Sequence, residues 1–167
     1  MKKQRLKGFT IIEVVLVLAI AGLIFLMVFI ALPALQRSQR DTQRRDDMAR
    51  FSSQLSSYQV NNNGKVPDAT KTGYETFIKS YLTVAGDSFA DPSTGNTYAI
   101  GSTITECKSG ANGCAQKSGT DADKDLGTIW IYTNATCSGE NPEYVQGNRK
   151  IAFTLKLEGA GIYCGHN

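Results

Sequence analysis

The sequence predicts an α+β fold in which one long N-terminal helix, half membrane span and half amphipathic, packs on a small antiparallel β-sheet. Three observations predict it. An uncharged apolar run from Val14 to Leu35 opens the chain. A stripe of Met48, Phe51, Leu55 and Tyr58 follows at helical spacings of three and four, with no glycine or proline between Gln36 and Val60. The remainder is a series of short alternating or β-branched segments separated by turn residues.

The apolar run decides which solvent its neighbours face. It holds 22 residues, which at about 1.5 Å per residue makes a helix of roughly 33 Å, enough to cross a hydrocarbon core of about 30 Å. A cleaved secretory signal pairs a basic start such as Lys2, Lys3, Arg5 and Lys7 with a core of only about 7 to 15 apolar residues and a small-x-small cleavage site. This run is longer, and its end, ALPALQ, lacks that spacing.

Glu13 stands at the head of the run. A carboxylate in mid-span costs about 2.5 to 3.5 kcal/mol on insertion scales and less near an interface. It therefore lies hydrated among headgroups or takes a positive partner. Gly8 and Phe9 bear on the choice. Everything before them is short, polar and basic. A cut between them would leave an α-amine about 6 Å of helix from Glu13, mostly cationic at neutral pH given a reference pKa of about 7.7 to 8.

The stretch KGFTIIEVVLVLAIAGLIFLMVFIALPAL resembles the N-terminal signature of type IV pilins and pseudopilins. The likeness covers the basic leader, Gly8, Phe9, Thr10, Glu13, the apolar helix and the amphipathic helix after it. It implies that a prepilin peptidase cuts after Gly8 and N-methylates Phe9, and that Glu13 sets register by pairing with the terminal amine of a neighbouring subunit. It implies a pilin-like α+β fold divided into a leader (1–8), a transmembrane and filament-core helix (9–35), its amphipathic continuation (36–61) and a globular head (62–167). The partners implied are further copies of the chain in a homopolymeric filament, the peptidase, and an assembly platform with its ATPase. The implied location is the cell membrane, single-pass with a cytoplasmic N-terminus, and after assembly an extracellular pilus. Two features depart from the pattern. Pro33 falls later than the kinking proline of many family members, with Gly22 a second weak point. Arg37, Arg40, Arg44, Arg45 and Arg50 follow the span, so basic residues flank both of its ends and the positive-inside rule supports either orientation.

Past the span, Asp41 with Arg45 and Asp46 with Arg50 are spaced to support exposed helix faces by a few tenths of a kcal/mol each. The stripe between them reads as a core seam. The arginine-rich face reads either as solvated or as a surface for anionic headgroups and neighbouring subunits. NNNGKVPD ends the helix, with Gly64 as a left-handed cap and Pro67 forbidding continuation. YETFIKSYL is a shorter helix. FADPSTGNTYAI is a turn leading into a strand near Tyr98, a segment that also resembles a turn of the same family. The strand candidates are TYAIGSTI, GTIWIYTN, KIAFTLKLEG and a last short GIYC.

Cys107, Cys114, Cys137 and Cys164 allow three disulfide connectivities. Cys107 with Cys114 as a loop staple and Cys137 with Cys164 as a C-terminal clamp is the preferred pairing. Zinc calls for closer cysteine spacing and for histidines, whereas His166 is the one histidine. Disulfides place the domain in an oxidising compartment. TDADKDLG puts Asp121, Asp123 and Asp125 at alternate positions, which reads as the start of a calcium loop or as an acidic surface turn balanced by lysine. Leu126 and Tyr132 stand where an EF-hand needs glycine and glutamate. Asn134-Ala135-Thr136 is a glycosylation sequon. No cofactor is required by anything else in the chain.

Net charge gives no support to a nucleic-acid role. The leader holds four of the 18 basic residues, so 14 against 15 acids leaves −1 for the processed chain. Nor is an enzyme expected: the single histidine is penultimate, and no GxSxG elbow, phosphate-cradling glycine loop or HExxH is present. Three roles are left: a type IV pilin subunit, a type II secretion pseudopilin, and a membrane-anchored binding ectodomain that does not polymerise.

Overall fold

The computed structural model describes residues 8–84, 88–110, 114, 126–147, 149–159 and 161–167. The chain divides into two compact units, 1–37 and 38–167. Helix α1, Ile11–Asn61, contributes to both.

In the first unit the apolar side chains of α1 beyond Glu13 lie on every side of the helix and are exposed: Ile12, just before it, is 75 % accessible, Leu23 71 % and Phe29 74 %. The helix is long and apolar enough to cross a membrane. Pro33 lies within it without interrupting it, although its missing N–H removes one backbone bond.

In the second unit the buried residues of α1 are Asp41, Arg44, Met48, Phe51 and Leu55, one face at alternating steps of three and four. The predicted stripe is therefore the core seam, with Tyr58 half-buried against it. The seam runs two residues further toward the N-terminus than its apolar members, into charge. Asn63 and Gly64 end α1 at φ of 56° and 76°, and the Gly64 N–H returns to the Gln59 carbonyl at 2.7 Å, the left-handed cap expected of this glycine. Helix α2, Lys71–Tyr81, begins at Thr70, whose hydroxyl accepts from the Gly73 N–H. It buries Tyr74, Phe77 and Ile78. Arg50 donates to the Leu82 carbonyl at 2.7 Å, tying the end of α2 to α1. Phe51 is the hub of the core, with ring centroids 5.4, 6.1 and 4.8 Å from those of Phe77, Phe89 and Phe153.

The sheet is built from β1 (Ala99–Ile100), β2 (Thr105–Glu106), β3 (Thr128–Thr133), β6 (Ile151–Lys156) and β7 (Ile162–His166). Strand β3 pairs antiparallel with β6, and β6 with β7. Ile129, Ile131, Ile151, Phe153 and Leu155 face the helical core. Tyr132, Ala135, Ala152 and Cys107 form a second cluster. Strand β6 is thus buried on both faces.

Two expectations are corrected. TYAIGSTI is not one antiparallel strand: only Ala99–Ile100 of it is strand, β2 begins just past its end at Thr105, and both β1 and β2 pair parallel with β3. Residues 107–127 lie between them, longer than the dozen or so residues that a parallel crossover needs. The second correction is a separate hairpin, β4 (Ala135–Ser138) with β5 (Asn141–Tyr144), turning at Gly139 with φ 61°. Its polar sequence and Pro142 hide it from a β-propensity reading.

Candidate processing and assembly site

In the first unit, Thr10 precedes the helix and Glu13 occupies its first turn. The Thr10 N–H and hydroxyl donate to Glu13 Oε2 at 2.9 and 2.8 Å, and the Glu13 N–H donates back to Thr10 Oγ1 at 3.4 Å. This is a reciprocal capping box. The T-x-x-E spacing that signals it is present in the sequence. The carboxylate satisfies helix-start donors that lipid would leave unpaired, so it has local work before any other partner arrives. Gly8 and Phe9 are exposed, with no atom near the position a Gly8 Cβ would take. Phe9, Val14, Val17 and Leu18 line an apolar notch of about 490 Å³ whose one charged member is Glu13.

In the second unit the structure assembles a charge cluster that sequence reasoning missed. Arg44 is fully buried. Its Nε and Nη2 donate to the two oxygens of Asp91 at 2.7 and 3.1 Å. Nη1 donates to Asp41 at 3.0 Å, and Nη2 to Glu158 at 2.8 Å and to the Ser93 hydroxyl at 3.0 Å. Arg40 donates to both Glu158 oxygens, and Asp41 accepts the N–H groups of Glu158 and Gly159 at 2.9 and 2.7 Å. The expected partner of Asp41 is corrected from Arg45 to Arg44. Arg40, Arg44 and Arg50 are engaged inside the domain, which leaves Arg45 as the exposed arginine of this unit's α1 and removes most of the basic face that headgroups would meet.

Burial disfavours the Asp91 carboxylate, but hydrogen bonds from Arg44 and Ser93 outweigh it and hold its pKa below the ordinary value. The bond from Arg40 does the same for Glu158 against a smaller burial effect. Asp47 goes the other way: burial raises its pKa, and the Tyr98 hydroxyl that donates to it at 3.0 Å only partly offsets this. The cluster joins α1 to the Asp91 turn and to the turn between β6 and β7. It offers no vacant ligand position, and among the described residues no group of His, Cys, Asp and Glu is arranged to hold a metal.

The disulfides pair Cys107 with Cys114 and Cys137 with Cys164. The second ties the β4–β5 hairpin to β7. The aspartates of the candidate calcium loop, Asp121, Asp123 and Asp125, lie outside the described residues. His166 ends β7, and its carbonyl accepts from Ser52.

Residues 3–29 match the prokaryotic N-terminal methylation motif, the prepilin-type signal of type IV pilins and pseudopilins. No curated protein and no solved structure matches the chain.

Proposed function

We propose that the chain is a type IV pilin subunit, cut by a prepilin peptidase between Gly8 and Phe9, methylated on the new amine and polymerised into a surface filament. One joint observation supports this reading. The methylation motif heads a helix whose apolar residues are exposed on every side. Such a surface requires lipid before assembly and other copies of itself afterwards. Exchanging lipid for equivalent apolar surface costs little, so packing and a few polar contacts decide the outcome. In the precursor the Glu13 carboxylate caps its own helix. Cleavage then creates a cationic amine beside that cap, and in the filament Glu13 of one subunit pairs with the amine of the next.

The test is the intact mass of native protein together with Glu13→Ala. A chain beginning at Phe9 with one added methyl is expected, and the variant is expected to accumulate in the membrane without forming filaments. Material beginning at Met1, or abundant normal filaments from the variant, overturns the reading. A secretion pseudopilin is the second reading, favoured by the Asp121, Asp123, Asp125 run. Short periplasmic assemblies that depend on calcium, in place of long surface fibres, would select it.

A further inference from the structure

We propose that the cleft between α2 and the last turns of α1 binds a single neutral sugar ring. The argument stands on the second unit alone and does not rest on the filament reading. The cleft holds about 280 Å³, just below the roughly 300 to 1,000 Å³ of sites for drug-sized ligands, so its occupant is small.

Its walls are chemically divided. One is aromatic: the Tyr58 ring stands 5.4 Å from that of Tyr81 at 64° and 5.6 Å from that of Phe77 at 88°. Both tyrosines line the cleft and are half-exposed. The other wall is a row of hydroxyls, Thr72, Thr76 and Ser80, one turn apart on α2, spanning about 12 Å. The Thr76 hydroxyl donates to the Thr72 carbonyl at 2.8 Å, which leaves its acceptor lone pairs free. Asp68 closes one end. Gly73 lets that turn approach, because a Cβ there would lie 2.5 Å from the Asp68 carbonyl oxygen.

No basic side chain lines the cleft, which disfavours anions. A pyranose presents an apolar face of C–H groups to stack on tyrosine, and a rim of hydroxyls for the threonines, the serine and the carboxylate. An organic cation would use the aromatic wall and Asp68 but would leave the hydroxyl row without partners.

The full chain would be studied in a polyoxyethylene detergent, whose headgroup is neither sugar nor cation. Saturation-transfer NMR would use methyl glycosides of glucose, galactose, mannose and N-acetylglucosamine. Saturable binding of at least one is expected, weakened about tenfold by Tyr81→Ala and largely kept by Tyr81→Phe. Trp130 fluorescence and the urea midpoint would establish that each variant folds, and Thr76→Val serves as a second probe should Tyr81→Ala unfold. No saturable glycoside, binding unchanged in the folded variants, or binding of tetramethylammonium in place of every glycoside would overturn the proposal.

Discussion

Residues 11–37 and 38–61 share one unbroken helix, α1, and they invert the usual rule of burial in opposite ways. In the first stretch large apolar side chains are exposed; in the second, Arg44 has no accessible surface. The backbone is the same, so the difference lies in what each side chain can satisfy. An exposed leucine needs only a surrounding of its own kind. A buried guanidinium needs polar partners aimed at its N–H groups, and three carboxylates and a hydroxyl from three chain segments supply them. One stretch is specified by composition and the other by geometry.

The largest expected effect breaks the second stretch. Arg44→Met removes the cation from between Asp41, Asp91 and Glu158 and leaves those carboxylates without their central partner. Breaking a buried pair from one side costs roughly 3 to 5 kcal/mol, which the urea midpoint followed by Trp130 fluorescence would register. N-terminal processing should be unchanged, since it reads residues of the first unit. A midpoint within error of the parent would show that the carboxylates find water or other donors, and that geometry matters less here than the contrast implies.

That contrast also explains what the sequence disclosed. The apolar run, the Gly8-Phe9 junction and Glu13 are local in the chain, and so is the stripe of Met48, Phe51 and Leu55, so spacing alone makes them readable. The capping box of Thr10 and Glu13 is equally local, and its T-x-x-E spacing stands in the sequence. The Arg44 cluster is different in kind. Its partners Asp91 and Glu158 lie 47 and 114 residues away, and without them spacing alone does not choose between Arg44 at i+3 and Arg45 at i+4 as the partner of Asp41. The parallel pairing of β1 and β2 with β3 was hidden likewise, because strand direction depends on where a long connection crosses.

The next effect in size concerns the cysteines. Replacing Cys137 and Cys164 together by serine frees the β4–β5 hairpin from β7 and should cost about 2 to 5 kcal/mol, on the range for native disulfides in small domains. Reduction of the parent under mild denaturant opens Cys107–Cys114 as well and should give a shift at least as large. Little change in either experiment would mean that the hairpin contributes almost nothing to the cooperative unit, and would narrow the geometric stretch to α1, α2 and the main sheet.

The smallest effect is also the sharpest, because it turns on sign. Asp91 and Glu158 have lowered pKa values in the folded chain, so their stabilisation is present above the unfolded carboxylate range of about 4 and is lost as pH falls through their folded values. Asp47 has a raised pKa, chiefly through burial. Its contribution therefore has the opposite slope, present below the unfolded value and lost as pH rises through the folded one. Asp47→Asn keeps an oxygen to accept from the Tyr98 hydroxyl and removes the buried charge. The variant should be more stable than the parent near neutrality, by about 1 kcal/mol or less on the scale of a single hydrogen-bonded group, and the advantage should vanish in acid. Urea midpoints from pH 3 to 7 test it. A variant less stable at pH 7 would mean that the charge of Asp47 is needed by the neighbouring arginines, making it a fourth carboxylate of the cluster.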